Sequence, residues 1–326
     1  MPYTRTPVQP ADPLIRRHVV RHREWTENYR ADNTEVLNRF HRFLGERGSS
    51  LAAATPEDVI EYLDLRCKTL KSSSAHKEFQ HLRTFYRWVV KDGSHPGPNP
   101  FLDEDVTAPP VGQPDPSRLT LFSPEDYERL MRSFDKRSLL DSRNAAIASL
   151  MYRTGLRSIE VSRCEVERLD LEAEIPTIEV LGKGKNGGKW RRVPLSWETA
   201  EWLDRYLRRL GPDRRESGPL FLATANGAVT DGSGMTERAI QDTLKKRAGQ
   251  LGIDWRGVHS FRRSAATNGK ERGLDDSTVI AILGWEDGRM LAHYTKSRAQ
   301  SIAIAQFAAN DPTAPPASRR RRLKAV

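Results

Sequence analysis

The sequence predicts a mainly α protein built from two helical domains, the second interrupted by a small β-hairpin. Three observations lead there. Apolar residues recur at helical spacing along most of the chain, as in Val36, Leu37, Phe40, Phe43 and Leu44. Two stretches, Thr55-Pro56-Glu57-Asp58 and Ser123-Pro124-Glu125-Asp126, carry an N-cap, a proline at the first helical position and acids in the first turn. One island, Thr177–Val180 and Trp190–Val193 around a glycine-rich turn, reads as strand. At 326 residues the chain exceeds what most single cores support, so two domains are expected.

Residues 1–13 hold Pro2, Pro7, Pro10 and Pro13 and are predicted to be a disordered leader. A first helix is expected from about Thr26 to Leu44, ending at Gly45 and Gly48, and a second opens at Thr55. A third carries Phe79, Leu82, Phe85, Tyr86 and Val89 on one side, with His76, Lys77, Arg83 and Arg87 elsewhere. Residues 14–100 therefore form a small helical domain with a basic face. Seven prolines lie between Pro96 and Pro116, and residues 101–117 are assigned as linker. Residues 118–310 form the larger domain, with helices at Glu198–Leu210, Thr236–Leu251 and Asp276–Leu283, the last capped by Gly284. Residues 311–326, with Arg319, Arg320, Arg321, Arg322 and Lys324, read as a basic disordered tail. No internal repeat is visible.

The formal net charge of +10 favours a polyanionic partner, nucleic acid first. Cys67 and Cys164 are the only cysteines and fall in different predicted domains, which leaves no disulfide framework and no Cys-rich zinc site. No stretch approaches the roughly 20 apolar residues of a membrane span, and the N-terminus lacks an apolar signal region, so a cytoplasmic protein is expected.

The chemistry gathers in the second domain. His259-Ser260-Phe261-Arg262 is followed by Leu283-Gly284-Trp285 and then Tyr294, nine positions beyond the tryptophan. Arg157 stands upstream in Thr154-Gly155-Leu156-Arg157-Ser158-Ile159-Glu160, and Lys183 lies in the turn Gly182-Lys183-Gly184. Two guanidiniums offer paired donors to phosphate oxygens, and the phenol is a nucleophile once a base takes its proton, since its ordinary pKa is about 10. Glu160, three residues after Arg157, shares its helix face and is expected to orient a catalytic cation. The glycine-lysine turn is no P-loop, because no Ser or Thr follows the lysine. No clustered carboxylates suggest a divalent-metal nuclease, and no cofactor is expected.

This constellation resembles the tyrosine recombinase (phage integrase) family, of the minimal two-domain type similar to Xer- and Cre-like recombinases. The resemblance covers about Ser117 to Phe307 well and the earlier helices more loosely. It implies an N-terminal SAM-like core-binding domain and a mostly helical catalytic domain. Arg157, Lys183, His259, Arg262, Trp285 and Tyr294 would fill the six catalytic slots, with Trp285 standing where many members have histidine. Arg157 and Arg262 would clamp the scissile phosphate, Lys183 protonate the leaving 5′-oxygen and His259 accept the phenol proton; Lys185 is the neighbouring alternative to Lys183. Lys77, Arg83, Arg87, Lys185 and Arg263 would contact DNA. The implied activity is site-specific recombination of double-stranded DNA through a 3′-phosphotyrosyl intermediate, with four protomers on two sites and Ser301–Phe307 docking on a neighbouring protomer. Only about 25 residues precede the expected first helix, too few for an arm-binding domain. A type IB topoisomerase shares the same chemistry, and a catalytically silent DNA-binding regulator on the same scaffold is the non-enzymatic alternative.

Overall fold

The computed structural model describes residues 7–111, 121–182, 188–211, 216–225 and 228–310. Contacts divide the chain into two compact units, Met1–Gln113 and Pro114–Val326.

In the first unit α1 (Pro13–Arg21), α2 (Glu27–Glu46), α3 (Pro56–Thr69) and α4 (Ser72–Lys91) enclose one apolar core. Phe40, Leu44, Tyr62, Leu82, Phe85 and Tyr86 are buried in it at the spacing that places one face of each helix inward. Thr55 caps α3 reciprocally: its Oγ1 accepts from the Asp58 N–H while the Asp58 carboxylate accepts from the Thr55 N–H at 3.0 Å. Buried Glu78 ties three helices together. Its carboxylate accepts from Arg39 on α2, from Arg66 Nε and Nη2 on α3 at 2.8 and 2.9 Å, and from the Tyr62 hydroxyl at 3.0 Å. Burial alone would raise this carboxyl; the hydrogen bond from Arg66 and the charges of Arg39 and Arg66 outweigh that and hold it below its ordinary range.

Three expectations change here. The first helix is α1, not one beginning near Thr26: Asp12 caps it and Pro13 occupies its first turn. Residues 9–11 are not loose either, because the Asn38 side chain accepts from the Ala11 N–H and donates to the Gln9 carbonyl, both at 2.8 Å. The stretch assigned as linker from residue 101 likewise supplies Phe101 and Val106 to this core, and the carbonyls of Pro109 and Pro110 bond His76 and Ser72 at the start of α4.

The second unit is built around α6 (Leu139–Thr154), which is buried along most of its length and packs against α8 (Trp197–Leu210) and α10 (His259–Glu271). Before it runs α5 (Pro124–Arg132), and after it the single turn α7 (Ser158–Val161). The expected hairpin is present as β2 (Thr177–Leu181) and β3 (Trp190–Pro194), antiparallel with Ile178 opposite Val193. It is not the only strand pairing. β1 (Leu169–Asp170) extends that sheet, and β4 (Leu222–Ala225) with β5 (Ala228–Gly234) forms a second one. These strands are short or rich in Ala, Thr and Gly, so they lack the alternation of large apolar residues that marks a strand in sequence. The remaining helices are α9 (Glu237–Gln250), α11 (Asp276–Leu283), α12 (Arg289–Thr295) and α13 (Ala299–Asn310).

Candidate active site

Where α6 ends, Gly155 adopts a left-handed conformation at φ 68°, and a Cβ there would lie 2.2 Å from the Leu283 side chain. Glycine is thus required both to turn the chain and to let α11 approach. The turn places Arg157 at the N-cap of α7 with its side chain about one quarter exposed. Glu160, fully buried, sits beneath it. The Glu160 carboxylate accepts from the Arg157 N–H at 2.8 Å and from Arg157 Nη1 at 3.0 Å, and from Arg191 Nη1 and Nη2 at 3.1 Å each. Four donors fill the four lone-pair sites that a carboxylate offers. Burial pushes this carboxyl up, but the paired Arg191 bonds and charge, then Arg157, hold it below its ordinary range.

Arg262 rises from the first turns of α10 and is buried to 3% exposure. Its Nη1 donates to the Gly155 carbonyl at 2.7 Å and its Nη2 to the Leu283 carbonyl at 2.6 Å, fixing the guanidinium between the end of α6 and the end of α11. Burial, then repulsion from Arg157 and Arg191, pulls it down to about 9, still charged at neutral pH. His259 opens α10 at the surface. Partial desolvation, with the charges of Arg263, Arg262 and Arg157, keeps its imidazole below its usual value and so neutral at pH 7.

α11 ends at Gly284, again left-handed at φ 63°, and the next residue is Trp285. The indole lies over the Arg262 guanidinium, 5.1 Å from Cζ to ring centroid, and the Tyr294 ring centroid is 5.6 Å from that of the indole, tilted by 50°. Arg263 Cζ is 6.0 Å from the centroid of Tyr294. Trp285 and Tyr294 pack on a small apolar cluster of Ala266, Val279, Leu283 and Leu291, which fixes α12 against α10 and α11.

The structure therefore gathers Arg157, Glu160, His259, Arg262, Arg263, Trp285 and Tyr294, from four separate segments, in one region of the second unit. Lys183 and Lys185 fall outside the described residues; β2 and β3 lead to them from either side. Lys77, Arg83 and Arg87 belong to α4 of the first unit. There Ser73, Lys77, Gln80, Thr84, Arg87 and Lys91 repeat at steps of three and four residues, and every one is exposed. This stripe holds three cations and no acid, and half-buried Arg83 flanks it.

Sequence reasoning missed Arg191. A signal existed: in Trp190-Arg191-Arg192-Val193, strand alternation puts Arg191 on the same face as buried Val193. A charge on the inward face of a strand demands a buried partner, and Glu160 is that partner.

Arg157 and Arg191 bond the Glu160 carboxylate, Arg262 lies within reach of their charge and Arg263 faces Tyr294, so even with Glu237 near His259 the site carries a surplus of positive charge suited to an anion. The donors not engaged with Glu160 or carbonyls suit phosphate oxygens, and a neutral imidazole and a phenol lie at its rim.

Known proteins share this chain's pattern. Residues 121–301 match the model of the phage integrase family, and residues 26–93 match the phage integrase N-terminal SAM-like domain. The tyrosine recombinase XerD of Pseudomonas aeruginosa is 29% identical, covering 85% of this chain and 92% of its own length. XerD of Lacticaseibacillus casei is 31% identical over 74% of this chain and 78% of its own. Among solved structures, the XerH site-specific recombinase bound to palindromic difH substrate, a post-cleavage complex, superimposes with a TM-score of 0.66 at 19% identity, covering 93% of this chain and 90% of that one.

Proposed function

The chain belongs to the phage integrase family, and on that premise we propose how its residues carry out the reaction. It is a tyrosine-type site-specific DNA recombinase that cleaves and rejoins strands through a 3′-phosphotyrosyl intermediate, and its partner is DNA. Neither a relaxing topoisomerase nor a silent regulator has an observation in its favour.

Arg157 and Arg262 grip the non-bridging oxygens of the scissile phosphate and neutralise the charge of the five-coordinate transition state. The Tyr294 oxygen attacks phosphorus while His259, held neutral, accepts the phenol proton. The bond to the 5′-oxygen breaks as Lys183 protonates it, leaving a 3′-phosphotyrosine and a free 5′-hydroxyl. A 5′-hydroxyl from the other duplex then gives its proton to the now neutral Lys183 and attacks the same phosphorus, His259 returns its proton to the departing Tyr294 oxygen, and the backbone is whole again. Trp285 donates its indole N–H to a phosphate oxygen and backs the nucleophile; having no basic atom, it leaves the proton to His259. The observation that carries this reading is the cluster in which buried Arg262, within reach of the Arg157 charge, lies against the Trp285 ring, itself 5.6 Å from the Tyr294 ring.

The exposed stripe of α4, with Arg83, and Arg263 beside the site supply phosphate contacts to the duplex, joined by Lys185. The first unit, from α1 through the packed stretch around Phe101 and Val106, serves as the core-binding domain, and residues 121–310 as the catalytic domain. Four protomers act on two specific sites, and α13 carries exposed Ile304 and Phe307 as the apolar contact to a neighbouring protomer. No described helix is long and apolar enough to cross a membrane; we place the enzyme in the cytoplasm, acting without a cofactor.

The test is covalent trapping. A randomised pool of nicked duplexes is incubated with the full chain, adducts that survive denaturant are recovered, and their sites are sequenced. Adduct with the parent and none with Tyr294→Phe is the expected result. Adduct that persists in Tyr294→Phe overturns the nucleophile assignment.

A further inference from the structure

We infer that Arg191 is a positioning residue for the strand-cleavage reaction, a single guanidinium that sets the places of Arg157, Trp285 and the end of β2 at Gly182, which Lys183 follows in sequence. Its side chain is 14% exposed and its three hydrogen-bonding groups are all engaged. Nη1 and Nη2 hold both oxygens of Glu160, which in turn holds Arg157. Nε donates to the Ile282 carbonyl at 3.2 Å, at the C-terminal end of α11 where carbonyls carry partial negative charge.

Two glycines make room for this group. A Cβ on Gly284 would lie 2.7 Å from Arg191 Cζ, and a Cβ on Gly182 would lie 3.3 Å from Arg191 Nη1. Gly284 immediately precedes Trp285, and Gly182 immediately precedes Lys183. The backbone N–H of Gly182 also bonds the Lys189 carbonyl at 2.9 Å, two residues before Arg191 on the returning strand. One planar fork therefore touches the residue before the tryptophan, the residue before the lysine and the carboxylate beneath the first arginine. Lysine, with a point charge, cannot reproduce that fork.

Arg191 reaches the substrate only through these neighbours, so its loss should affect chemistry rather than DNA binding. This role presupposes Lys183 as the leaving-group acid, and sulfur substitution separates the two ideas. When the bridging 5′-oxygen is replaced by sulfur, the departing thiolate needs no proton, because a thiol has a pKa of about 8.5. Single-turnover adduct formation is measured on one duplex recovered by trapping, in its oxygen and sulfur forms, with the full chain.

Arg191→Met is expected to cleave the oxygen form about 100-fold more slowly, the penalty of a misplaced group, with DNA affinity within about threefold of the parent. Sulfur should recover most of that loss, and Arg191→Lys should show the same pattern at smaller size. Gly182→Ala keeps the buried ion pair and presses on Arg191 Nη1 and on the Lys189 carbonyl, so it should slow the oxygen form and not the sulfur form even if Arg191→Met folds poorly. Parent-like cleavage by Arg191→Met, or equal loss of affinity and rate, overturns the role. Sulfur that rescues Lys183→Ala but neither Arg191→Met nor Gly182→Ala refutes the link to the turn. If sulfur fails to rescue Lys183→Ala, the acid assignment is wrong, and Arg191 is judged by the split between rate and affinity alone.

Discussion

Replacing Glu160 with glutamine removes the negative charge at the centre of the site while keeping its shape. The carboxylate is fully buried and accepts four hydrogen bonds from Arg157 and Arg191. Losing one member of a buried ion pair costs about 3–5 kcal/mol, and Arg157, a quarter exposed, recovers some hydration, which puts the expected loss at the low end, about 3 kcal/mol. For a unit of this size each kcal/mol lowers Tm by about 2–4 °C, so the second unit should melt about 6–12 °C lower. Calorimetry on the full chain, with hydrogen exchange to locate the change, measures this. The sign of the pH dependence is also fixed. The Glu160 carboxyl is held below its ordinary range when folded, so the unfolded chain binds that proton more readily. The stabilisation is complete above about pH 4.3, the ordinary glutamate value, and is lost as pH falls through the lower folded value. Glu160→Gln should lack that part of the slope. A Tm within 1–2 °C of the parent, about the error of the method and under 1 kcal/mol, or protection lost only in residues 7–111, would refute the reasoning.

Three further outcomes are expected. The adduct rate should stay level across neutral pH and fall only below the ordinary histidine value of about 6.5, because His259 is held lower; Arg263→Ala, which removes the strongest charge repelling it, should move that acidic limb upward, and an unmoved limb argues against His259 as the base. Gly284→Ala should cost about 2 kcal/mol or more, from a positive φ and a Cβ driven into a guanidinium held by hydrogen bonds; denaturant unfolding measures it, and the cost should shrink in an Arg191→Ala background. Lys77→Ala with Arg87→Ala should make the plot of log affinity against log salt shallower by about 1.8, at roughly 0.9 for each phosphate no longer neutralised, and an unchanged slope would remove α4 from the DNA interface.

Much of the fold was legible because its helices are announced by side chains that bond their own backbone. Thr55 and Ser123 sit before prolines and acids, and both cap helices as read. Asp12-Pro13 carries the same cap and proline without the acids, followed by buried Ile15 and Val19 four residues apart, but the surrounding prolines point toward a loose leader. Proline at a first helical turn stabilises what it would break further in. β4 and β5 were illegible because small residues and glycines give no periodic signal. Arg157, Arg262, Trp285 and Tyr294 could be singled out only as a constellation, since each alone has ordinary surface or core uses. Arg191 needed the third dimension: its importance lies in Glu160 and two glycines far apart in sequence, and local alternation could only say that it faces inward.

The most direct test of the central claim is to digest the trapped adduct with trypsin and sequence the DNA-bearing peptide. Cleavage after Arg289 and Lys296 yields one peptide holding both His293 and Tyr294, which fragmentation tells apart. The expected result is a nucleotide 3′-phosphate on the Tyr294 oxygen with a 5′-hydroxyl on the released strand. A phosphate on any other residue, or a link to the 5′ end of the DNA, would contradict the account.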